Sequence, residues 1–261
     1  MTNVVPSKLG HVVVTGASRV IGAALAREAS ARGARVTLVA RSPELLDAIA
    51  EETDGTAPVA DLGTREAVDG LIPRIEAAAG PVDVLINNAA VVETGPFVEL
   101  DSGSIRRQID LNLTAPMELS RQVLPGMLER GRGAVVMLSS LSGELSMRNH
   151  ASYAASKAGL DLFTQNLQRE LSRTPVHVML VLLGAVQTDL LEGSRGDEHV
   201  ARLGDRFRAL GTLRPERVAR ETLDAIGRRR RFLTIPKTLA PTPWLRRAPS
   251  RLADVAAIGL P

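Results

Sequence analysis

The sequence predicts an α/β fold: a single domain built on a doubly wound, mainly parallel sheet. Short apolar runs alternate with longer amphipathic segments along most of the 261 residues, a pattern typical of strands joined by crossover helices. The strand-like runs are almost continuously apolar, as expected when helices cover both faces of a sheet. The length suits one large α/β domain, and no change of composition marks a boundary before about residue 236.

The predicted elements follow one another along the chain. Residues 12–15 are apolar and rich in valine, so they predict a first buried strand, and the segment after them predicts a helix to about Arg32. We expect further strands at residues 35–40, 57–60, 82–86, 134–139, 176–183 and 232–235. We expect further helices at residues 44–52, 65–79, 104–130, 152–173 and 215–228. The domain then spans residues 1–236, and the proline-rich residues 237–261 are expected to pack on it as a tail.

The composition narrows the possible chemistry. Hydrophobic residues make up 44% of the chain but aromatic residues only 2%, so the core must consist mainly of Ala, Val, Leu and Ile. The absence of cysteine excludes disulfides, thiolate metal sites and cysteine nucleophiles. The apolar runs are far shorter than the roughly 20 residues that span a bilayer. The first ten residues also lack the features of a signal peptide, so we expect a cytoplasmic protein.

Positive charge is concentrated near the end of the chain. Residues 195–261 contain 15 Lys or Arg against 7 Asp or Glu. Such a region could face an anionic substrate, a carrier protein or a membrane surface, but a solvated, arginine-rich exterior is the simpler interpretation. Aromatic residues are not interleaved with the basic ones, and no nucleic-acid reader motif occurs. We therefore expect neither nucleic-acid binding nor membrane contact by the tail.

One pair of residues stands out. Tyr153 is the single tyrosine of the chain, and it lies four residues before Lys157, one of only three lysines. On a helix this spacing puts both side chains on one face. A nearby cation favours the phenolate and lowers the pKa of a tyrosine, which makes the phenol useful for proton transfer near neutral pH. A surface pair without function is the alternative when these two residues are considered alone.

A glycine-bearing turn follows the first predicted strand. It runs from Thr15 and Gly16 to Gly22, where the first predicted helix begins. A turn between a strand and a helix allows a diphosphate to approach backbone N–H groups at the helix N-terminus. The turn therefore indicates a nucleotide-binding site.

Several separated motifs accompany this turn. They are the pair Asp61-Leu62, the run Asn87-Asn88-Ala89-Ala90, the four residues Asn112, Ser140, Tyr153 and Lys157, and finally Thr188. In this order the motifs resemble those of the short-chain dehydrogenase/reductase family over about residues 9–236. The resemblance implies a Rossmann-like fold and an NAD(P)-dependent oxidoreductase.

The resemblance also implies roles for the tetrad. Tyr153 would donate a proton to a carbonyl oxygen, or remove one from an alcohol. Lys157 would supply the cation and hold the nicotinamide ribose. Ser140 would hydrogen-bond the substrate oxygen, and Asn112 would help to hold a water in a proton relay to Lys157. Taken singly, Ser140 could merely cap a strand end, and Asn112 could be an ordinary polar group in a helix.

The cofactor is expected to contact residues near the ends of the strands. By resemblance these are Thr15, Gly16, Ser18, Arg19, Ile21, Gly22, Arg41, Ser42, Asp61, Leu62, Asn88, Ala89, Ala90, Tyr153, Lys157, Gly184, Val186 and Thr188. The second predicted strand ends without the acidic residue that would bind the ribose hydroxyls of NAD(H). Arg19 and Arg41 could instead pair with a 2′-phosphate. The sequence therefore predicts NADP(H) in preference to NAD(H).

Three positions depart from the family pattern. Val20 occupies a position where the family usually has glycine, and a β-branched residue there disfavours a left-handed backbone and could crowd the diphosphate. Ala90 replaces a glycine, and Leu183 replaces a proline. We expect Val20 to be tolerated through a small backbone shift. These changes bear on cofactor affinity and pose more than on the type of reaction.

The predicted function is interconversion of a carbonyl and a secondary alcohol by hydride transfer, with Tyr153 as the general acid/base. By resemblance, the substrate pocket would be lined by residues 91–94, 141–151 and the substrate loop 189–213. Two alternatives remain open: an epimerase or dehydratase that retains its cofactor, and a non-catalytic binding protein of the same fold. The resemblance further implies a homodimer or homotetramer that pairs through the helices at residues 104–130 and 153–172.

Overall fold

The computed structural model of the protein describes residues 9–184 and 213–240. Within these residues six strands form one sheet in the order β2-β1-β3-β4-β5-β6, and every neighbouring pair is parallel. The strands are β1 (His11–Thr15), β2 (Arg35–Val39), β3 (Val84–Asn87), β4 (Ala134–Ser140), β5 (His177–Leu183) and β6 (Phe232–Ile235). The sheet confirms the predicted fold class.

Helices cover both faces of the sheet. They are α1 (Val20–Ala31), α2 (Pro43–Thr53), α3 (Arg65–Val68), α4 (Leu71–Ala79), α5 (Ser102–Ile109), a π-helix (Asp110–Thr114), α6 (Ala115–Glu129), α7 (Ala151–Glu170) and α8 (Pro215–Gly227). Helices α1, α2 and α8 pack on one face, and α4, α6 and α7 pack on the other. Alternate strand residues enter the two cores: Val12 and Val14 face the first core, and Val13 faces the second.

Three predicted elements differ from the structure. Residues 57–60 were expected to form a strand, but the chain there makes only two isolated parallel bridges, Thr37 with Thr56 and Ala40 with Val59. The helix predicted at residues 65–79 is divided into α3 and α4 at Gly70, whose φ of 66° lies in the left-handed region. The helix predicted at residues 104–130 is interrupted by the π-helix.

A proline explains where the long helix is interrupted. Pro116 has no backbone N–H, so the carbonyl of Asn112 has no donor four residues later in the chain. The five residues Asp110–Thr114 adopt the wider π-helical turn at this point. Such single π-turns inside helices occur often at functional sites. The interruption therefore falls at one of the predicted tetrad residues.

The order of the strands places a crevice at the carboxyl ends of β1 and β3. The chain moves outward from β1 to β2 and then returns to β3 on the other side of β1. In open α/β sheets, ligands bind at such a reversal of strand order. The loops that leave β1, β3 and β4 all begin at this edge of the sheet. Among the described residues, no helix is long and apolar enough to cross a membrane.

Candidate active site

Two glycines shape the turn between β1 and α1. Gly16 has a φ of 64°, and a Cβ at this residue would lie 2.8 Å from Cα of Ala89. A Cβ on Gly22 would lie 2.1 Å from the carbonyl oxygen of Gly16. Neither position can hold a larger residue without movement of the backbone, because both contacts are with main-chain atoms. The glycines predicted from the sequence are thus required by close approach of backbone segments.

Val20 takes a conformation that its side chain disfavours. It is the first residue of α1, and its φ is 39°. A β-branched residue at positive φ is a genuine outlier. The turn therefore keeps a glycine-like backbone at this position even though the residue is valine.

The β1 turn is tied to the loop that follows β3. The hydroxyl of Thr15 accepts hydrogen bonds from the backbone N–H groups of Asn88, at 2.9 Å, and Ala89, at 3.0 Å. The side-chain amide of Asn88 donates to the carbonyl of Thr15 at 2.8 Å and to that of Gly16 at 3.2 Å. These reciprocal bonds hold the two loops together at the crevice. Thr15 and Asn88 therefore act on the shape of the turn itself.

The N-terminus of α1 can receive an anion. Arg19 precedes the helix without a side-chain cap, and the first turn contains no acidic residue. The first N–H groups of the helix therefore have no side-chain acceptor among the described residues, and a diphosphate could satisfy them. Ser18 and Ile21 lie beside Arg19 and are partly exposed in the same turn.

Two exposed arginines lie near the cofactor turn. Arg19 lies at the start of α1, and Arg41 follows β2. Neither guanidinium has an ion-pair partner within residues 9–184 and 213–240. Ser42, next to Arg41, is partly buried and precedes α2. Both positive charges are free to meet an anionic group.

Other predicted cofactor contacts lie along the same edge of the sheet. Asp61 is exposed, and its carboxylate accepts a hydrogen bond from the N–H of Gly63 at 3.0 Å, while Leu62 is buried. Ala90 is partly exposed in the loop after β3. Gly184 follows β5, and a Cβ there would lie 2.9 Å from Cδ1 of Leu239. Val186, Thr188 and almost all of the substrate loop 189–213 lie outside the described residues.

Tyr153 and Ser140 are in contact. Tyr153 lies in the first turn of α7 and is partly buried, and its hydroxyl is hydrogen-bonded to Ser140 at the end of β4. Burial raises the pKa of Tyr153, the hydrogen bond with Ser140 lowers it, and the negative charge of Asp161 raises it further. The pKa of Tyr153 is therefore raised, not lowered as the neighbouring Lys157 led us to expect, because burial is the larger effect.

Lys157 lies one turn after Tyr153 and is buried. Its Nζ lies 5.9 Å from the centroid of the Tyr153 ring and donates a hydrogen bond to the carbonyl of Leu138 at 3.1 Å. Burial lowers the pKa of Lys157 to about 8, against the attraction of Asp161. The side-chain amine can thus gain or lose a proton close to neutral pH.

Asn112 lies at the centre of the π-helix and is fully buried. Its side-chain amide accepts from the N–H of Val91 at 2.8 Å and donates to the carbonyl of Val91 at 2.8 Å. It also donates to the hydroxyl of Ser156 at 3.1 Å, and Ser156 donates in turn to the carbonyl of Tyr153 at 2.7 Å. All four predicted tetrad residues therefore meet at one edge of the sheet.

The sequence argument missed three buried polar residues around the tetrad. They are Gln108, Ser156 and Asp161. Each lies three or four residues from a predicted site residue: Gln108 is four before Asn112, Ser156 is three after Tyr153, and Asp161 is four after Lys157. This helical spacing was the signal that could have identified them.

Comparisons with known proteins agree with this geometry. The family model of the short chain dehydrogenases matches residues 10–199. L-xylulose reductase of Homo sapiens is 36% identical over 194 residues, which cover 74% of this chain and 78% of that protein. A short-chain dehydrogenase from Streptomyces avermitilis superposes with a TM-score of 0.80 at 29% identity, over 95% of this chain and 94% of that one. A short-chain dehydrogenase from Sphingobium yanoikuyae in complex with NADPH superposes with a TM-score of 0.78 at 28% identity, over 95% and 96%.

The matched residues, the parallel sheet and the meeting of the four tetrad side chains at its carboxyl edge lead to one conclusion. The chain belongs to the short-chain dehydrogenase/reductase family and is an NAD(P)-dependent oxidoreductase.

Proposed function

We propose that the protein is an NADP(H)-dependent oxidoreductase that interconverts a carbonyl compound and a secondary alcohol, with Tyr153 as the general acid/base. The feature that supports this most strongly is the phenol of Tyr153 next to the side chain of Ser140, with the buried ammonium of Lys157 beside the ring. Two hydroxyls in contact offer two hydrogen bonds to one substrate oxygen. A proton donor next to a second donor is what a developing alkoxide needs.

The pKa values favour proton donation in the reductive direction. Burial raises the pKa of Tyr153, so the phenol keeps its proton at neutral pH and can give it to a carbonyl oxygen. The resulting phenolate is stabilised by the positive charge of Lys157, whose own pKa is about 8. In the reverse reaction the phenolate takes the proton of the alcohol. Ser140 keeps the oxygen in place in both directions.

The bound nicotinamide would supply the hydride that reaches the carbonyl carbon, or accept it from the alcohol. The residues present fit such a cofactor. Gly16 and Gly22 let the β1 turn pack closely against neighbouring backbone, and the N-terminus of α1 favours the negative charge of a diphosphate. Lys157 would hold the nicotinamide ribose, and Asn112 would keep the proton relay in position.

The preference for NADP(H) is supported by charge. Arg19, at the start of α1, and Arg41, after β2, are both exposed, and residues 40–42 at the end of that strand include no acidic residue. A guanidinium matches the geometry of a phosphate, whereas a carboxylate at this position would repel it. The relative from Sphingobium yanoikuyae is a complex with NADPH.

The test is a panel of ketones that differ in size, such as 2,3-butanedione, ethyl acetoacetate and acetophenone, with oxidation of NADPH and of NADH followed optically. We expect reduction of at least one ketone with NADPH preferred. Tyr153→Phe should lower kcat/KM by about 10³-fold, because a general acid typically contributes 10²–10⁴-fold. NADPH binding should persist in this variant, since the phenyl ring remains.

The other outcomes are equally informative. Cofactor binding without net oxidation would favour the epimerase or dehydratase alternative, and failure to bind either nicotinamide would favour a non-catalytic protein. A preference for NADH would refute the proposed role of the two arginines. Tyr153→Phe with more than a tenth of the wild-type activity would refute the role of the phenol.

A homodimer or homotetramer is also proposed, paired through α6 and α7. Three large apolar side chains on these helices are exposed: Met117, Leu128 and Leu162. Exposed apolar side chains are typical of interfaces where they form a contiguous patch. The cytoplasmic location and the packing of the tail stay predictions, since residues 241–261 lie outside the described part of the chain.

A further inference from the structure

Two buried amides join the helix of Asn112 to the helix of Tyr153. The side chain of Gln108 donates to the hydroxyl of Ser152 at 2.8 Å, and one turn later Asn112 donates to the hydroxyl of Ser156 at 3.1 Å. Gln108, Asn112 and Ser156 are fully buried, and Ser152 is 5% exposed. We call these two amide–serine bonds the amide ladder. It links α5 and the π-helix to the first turns of α7.

Each amide of the ladder also holds the segment that follows β3. Asn112 binds both backbone groups of Val91, and the side-chain oxygen of Gln108 accepts from the N–H of Glu93 at 3.3 Å. The carboxylate of Glu93 is held by Arg107 through two hydrogen bonds of 3.0 Å. Segment 91–94 is therefore fixed to the helices at two points, two residues apart.

Gln108 connects segment 91–94 to the start of α7. One end of its amide binds segment 91–94, and the other end binds Ser152, the residue that precedes Tyr153. A side-chain amide that donates to one segment and accepts from another fixes the distance between the two segments. Loss of either bond would leave a buried polar group unsatisfied, so the geometry is strongly specified.

We propose that Gln108 is a positioning residue that fixes the gap between segment 91–94 and the start of α7, and so determines how a carbonyl substrate is held against Tyr153. The inference rests on the proposed function, in which this gap forms part of the substrate pocket. The side chain of Gln108 bonds to Glu93 and Ser152, and within the described residues it makes no hydrogen bond to the cofactor turn. It therefore acts on the substrate and leaves NADP(H) binding unchanged.

The test compares Gln108→Leu with a matched control, Gln122→Leu. Gln122 on α6 makes the same pair of bonds, accepting from the N–H of Ile72 at 3.1 Å and donating to the carbonyl of Val68 at 2.9 Å. It contacts α3 and α4 instead of α7. Both variants remove one amide bridge, but only Gln108→Leu removes a bridge at the site.

We expect Gln108→Leu to raise the KM for ethyl acetoacetate or acetophenone about tenfold, because a small misplacement of a positioning group can cost up to 10²-fold. The KM for NADPH and the kcat per folded enzyme should change less than about twofold, because the tetrad itself is intact. Loss of folded protein alone would lower the apparent kcat and leave both KM values unchanged. Gln122→Leu should leave both KM values at the wild-type level.

Amide hydrogen exchange gives a second readout that needs no substrate. Gln108→Leu should speed exchange of the peptide at residues 91–95 about tenfold or more, because the N–H of Glu93 loses its acceptor. Gln122→Leu should instead speed exchange of the N–H of Ile72. If Gln108→Leu does not fold, Ser152→Ala removes the same bond from the other end. Its control is Ser120→Ala, a buried serine whose hydroxyl binds the carbonyl of Pro116 within α6.

The outcomes separate this inference from the proposed function. If the wild type reduces no ketone, the proposed function fails, and the exchange of residues 91–95 still decides whether Gln108 holds the segment. If ketones are reduced but Gln108→Leu changes neither their KM nor this exchange, the positioning role is refuted. An equal rise of KM in Gln122→Leu would refute it too, because the effect would then be general.

Discussion

Each of the two edges of the sheet contains a buried basic side chain, and the two side chains have different functions. At the carboxyl edge, burial lowers the pKa of Lys157 to about 8. At the amino edge, burial lowers the pKa of His177 to about 4, and the positive charges of Arg229 and Arg231 add to this effect. Both groups are almost inaccessible to solvent. A shifted pKa by itself therefore does not distinguish a reacting group from a structural one.

At the amino edge, main-chain carbonyls bind the buried histidines. His177 donates from Nε2 to the carbonyl of Arg230 at 3.1 Å. His11, also buried at this edge, uses one ring nitrogen for the carbonyl of Gly80 and the other for the hydroxyl of Thr37, each at 2.8 Å. These bonds tie the sheet to its neighbouring segments.

At the carboxyl edge the buried base faces a group that can react. Lys157 is beside the ring of Tyr153, whose hydroxyl meets Ser140 where the crevice opens. The loops there are bonded to one another, as with Thr15 and Asn88, and their glycines allow the loops to approach one another closely. The difference between the edges lies in which partners a base has, more than in how deeply it is buried.

The largest test of this comparison replaces each base in turn. Lys157→Met removes the charge and keeps an unbranched side chain, and we expect it to lower kcat/KM for ketone reduction by about 10³-fold, through loss of acid/base catalysis by the pair. His177→Gln keeps a donor for the carbonyl of Arg230. It should change kcat/KM at pH 7 by less than about twofold, as expected for a residue remote from the site.

Steady-state kinetics on protein shown to be folded by circular dichroism provide the measurement. Equal losses in the two variants would break the comparison, because the amino edge would then influence the reaction. A Lys157→Met enzyme with near wild-type activity would show that Tyr153 needs no neighbouring cation.

The next test concerns stability at low pH. An unfolded chain protonates histidine near pH 6.5, whereas folded His177 stays neutral until about pH 4. Between these values the unfolded state binds the extra proton, so stability is lost as the pH falls from 6.5 to 4. At roughly 1.4 kcal/mol per pH unit, the loss amounts to about 3 kcal/mol at most.

Urea unfolding of the wild type and of His177→Gln, from pH 7.5 to pH 4.5, measures this loss. The glutamine has no proton to gain. Over that range the free energy of unfolding should therefore fall by about 2 kcal/mol less in the variant than in the wild type. Parallel curves would mean that His177 does not contribute to acid sensitivity. Other titrating groups are common to both proteins and cancel in the difference.

Periodicity predicted most of the fold, and its failures have identifiable physical causes. The apolar strands β1 to β6 were all predicted, because burial on two faces leaves a continuous apolar run. The strand expected at residues 57–60 was not found, since Val59 is 55% exposed at the rim of the sheet and only isolated bridges form there. Helix periodicity also passed through Gly70 and Asn112, where backbone conformation interrupts the helices.

The candidate site, like the fold, could be predicted from the sequence only in part. Motif spacing identified Asn112, Ser140, Tyr153 and Lys157, because helices and strand ends convert fixed spacing into proximity. It could not show that burial would raise the pKa of Tyr153, since desolvation depends on packing from several elements. The spacing of Gln108 from Asn112 marks it as a neighbour of the site, but its bonds to Ser152 and Glu93 could not be predicted, because these partners are distant in sequence or lie in a loop.

The smallest expected effect concerns the strained residue at the entrance to the cofactor turn. A non-glycine residue held in a sparsely populated backbone region costs about 1–3 kcal/mol, and Val20 has a φ of 39°. Glycine relieves this strain but loses about 0.5–1 kcal/mol through greater freedom in the unfolded chain. Val20→Gly should therefore raise the free energy of unfolding by about 1 kcal/mol, measured by urea denaturation.

Val20→Ala is the matched control, because it removes the branch at Cβ but leaves a Cβ at positive φ, so it should stabilise little. Strain that is equal with and without cofactor does not alter affinity, since only a difference between two states shifts binding. The Kd for NADPH should then change less than about tenfold in Val20→Gly, a shift below about 1.4 kcal/mol. A hundredfold gain in affinity would mean instead that the valine side chain crowds the diphosphate. In that case Val20 would itself weaken cofactor binding at the carboxyl edge, and the difference between this edge and the amino edge would be greater.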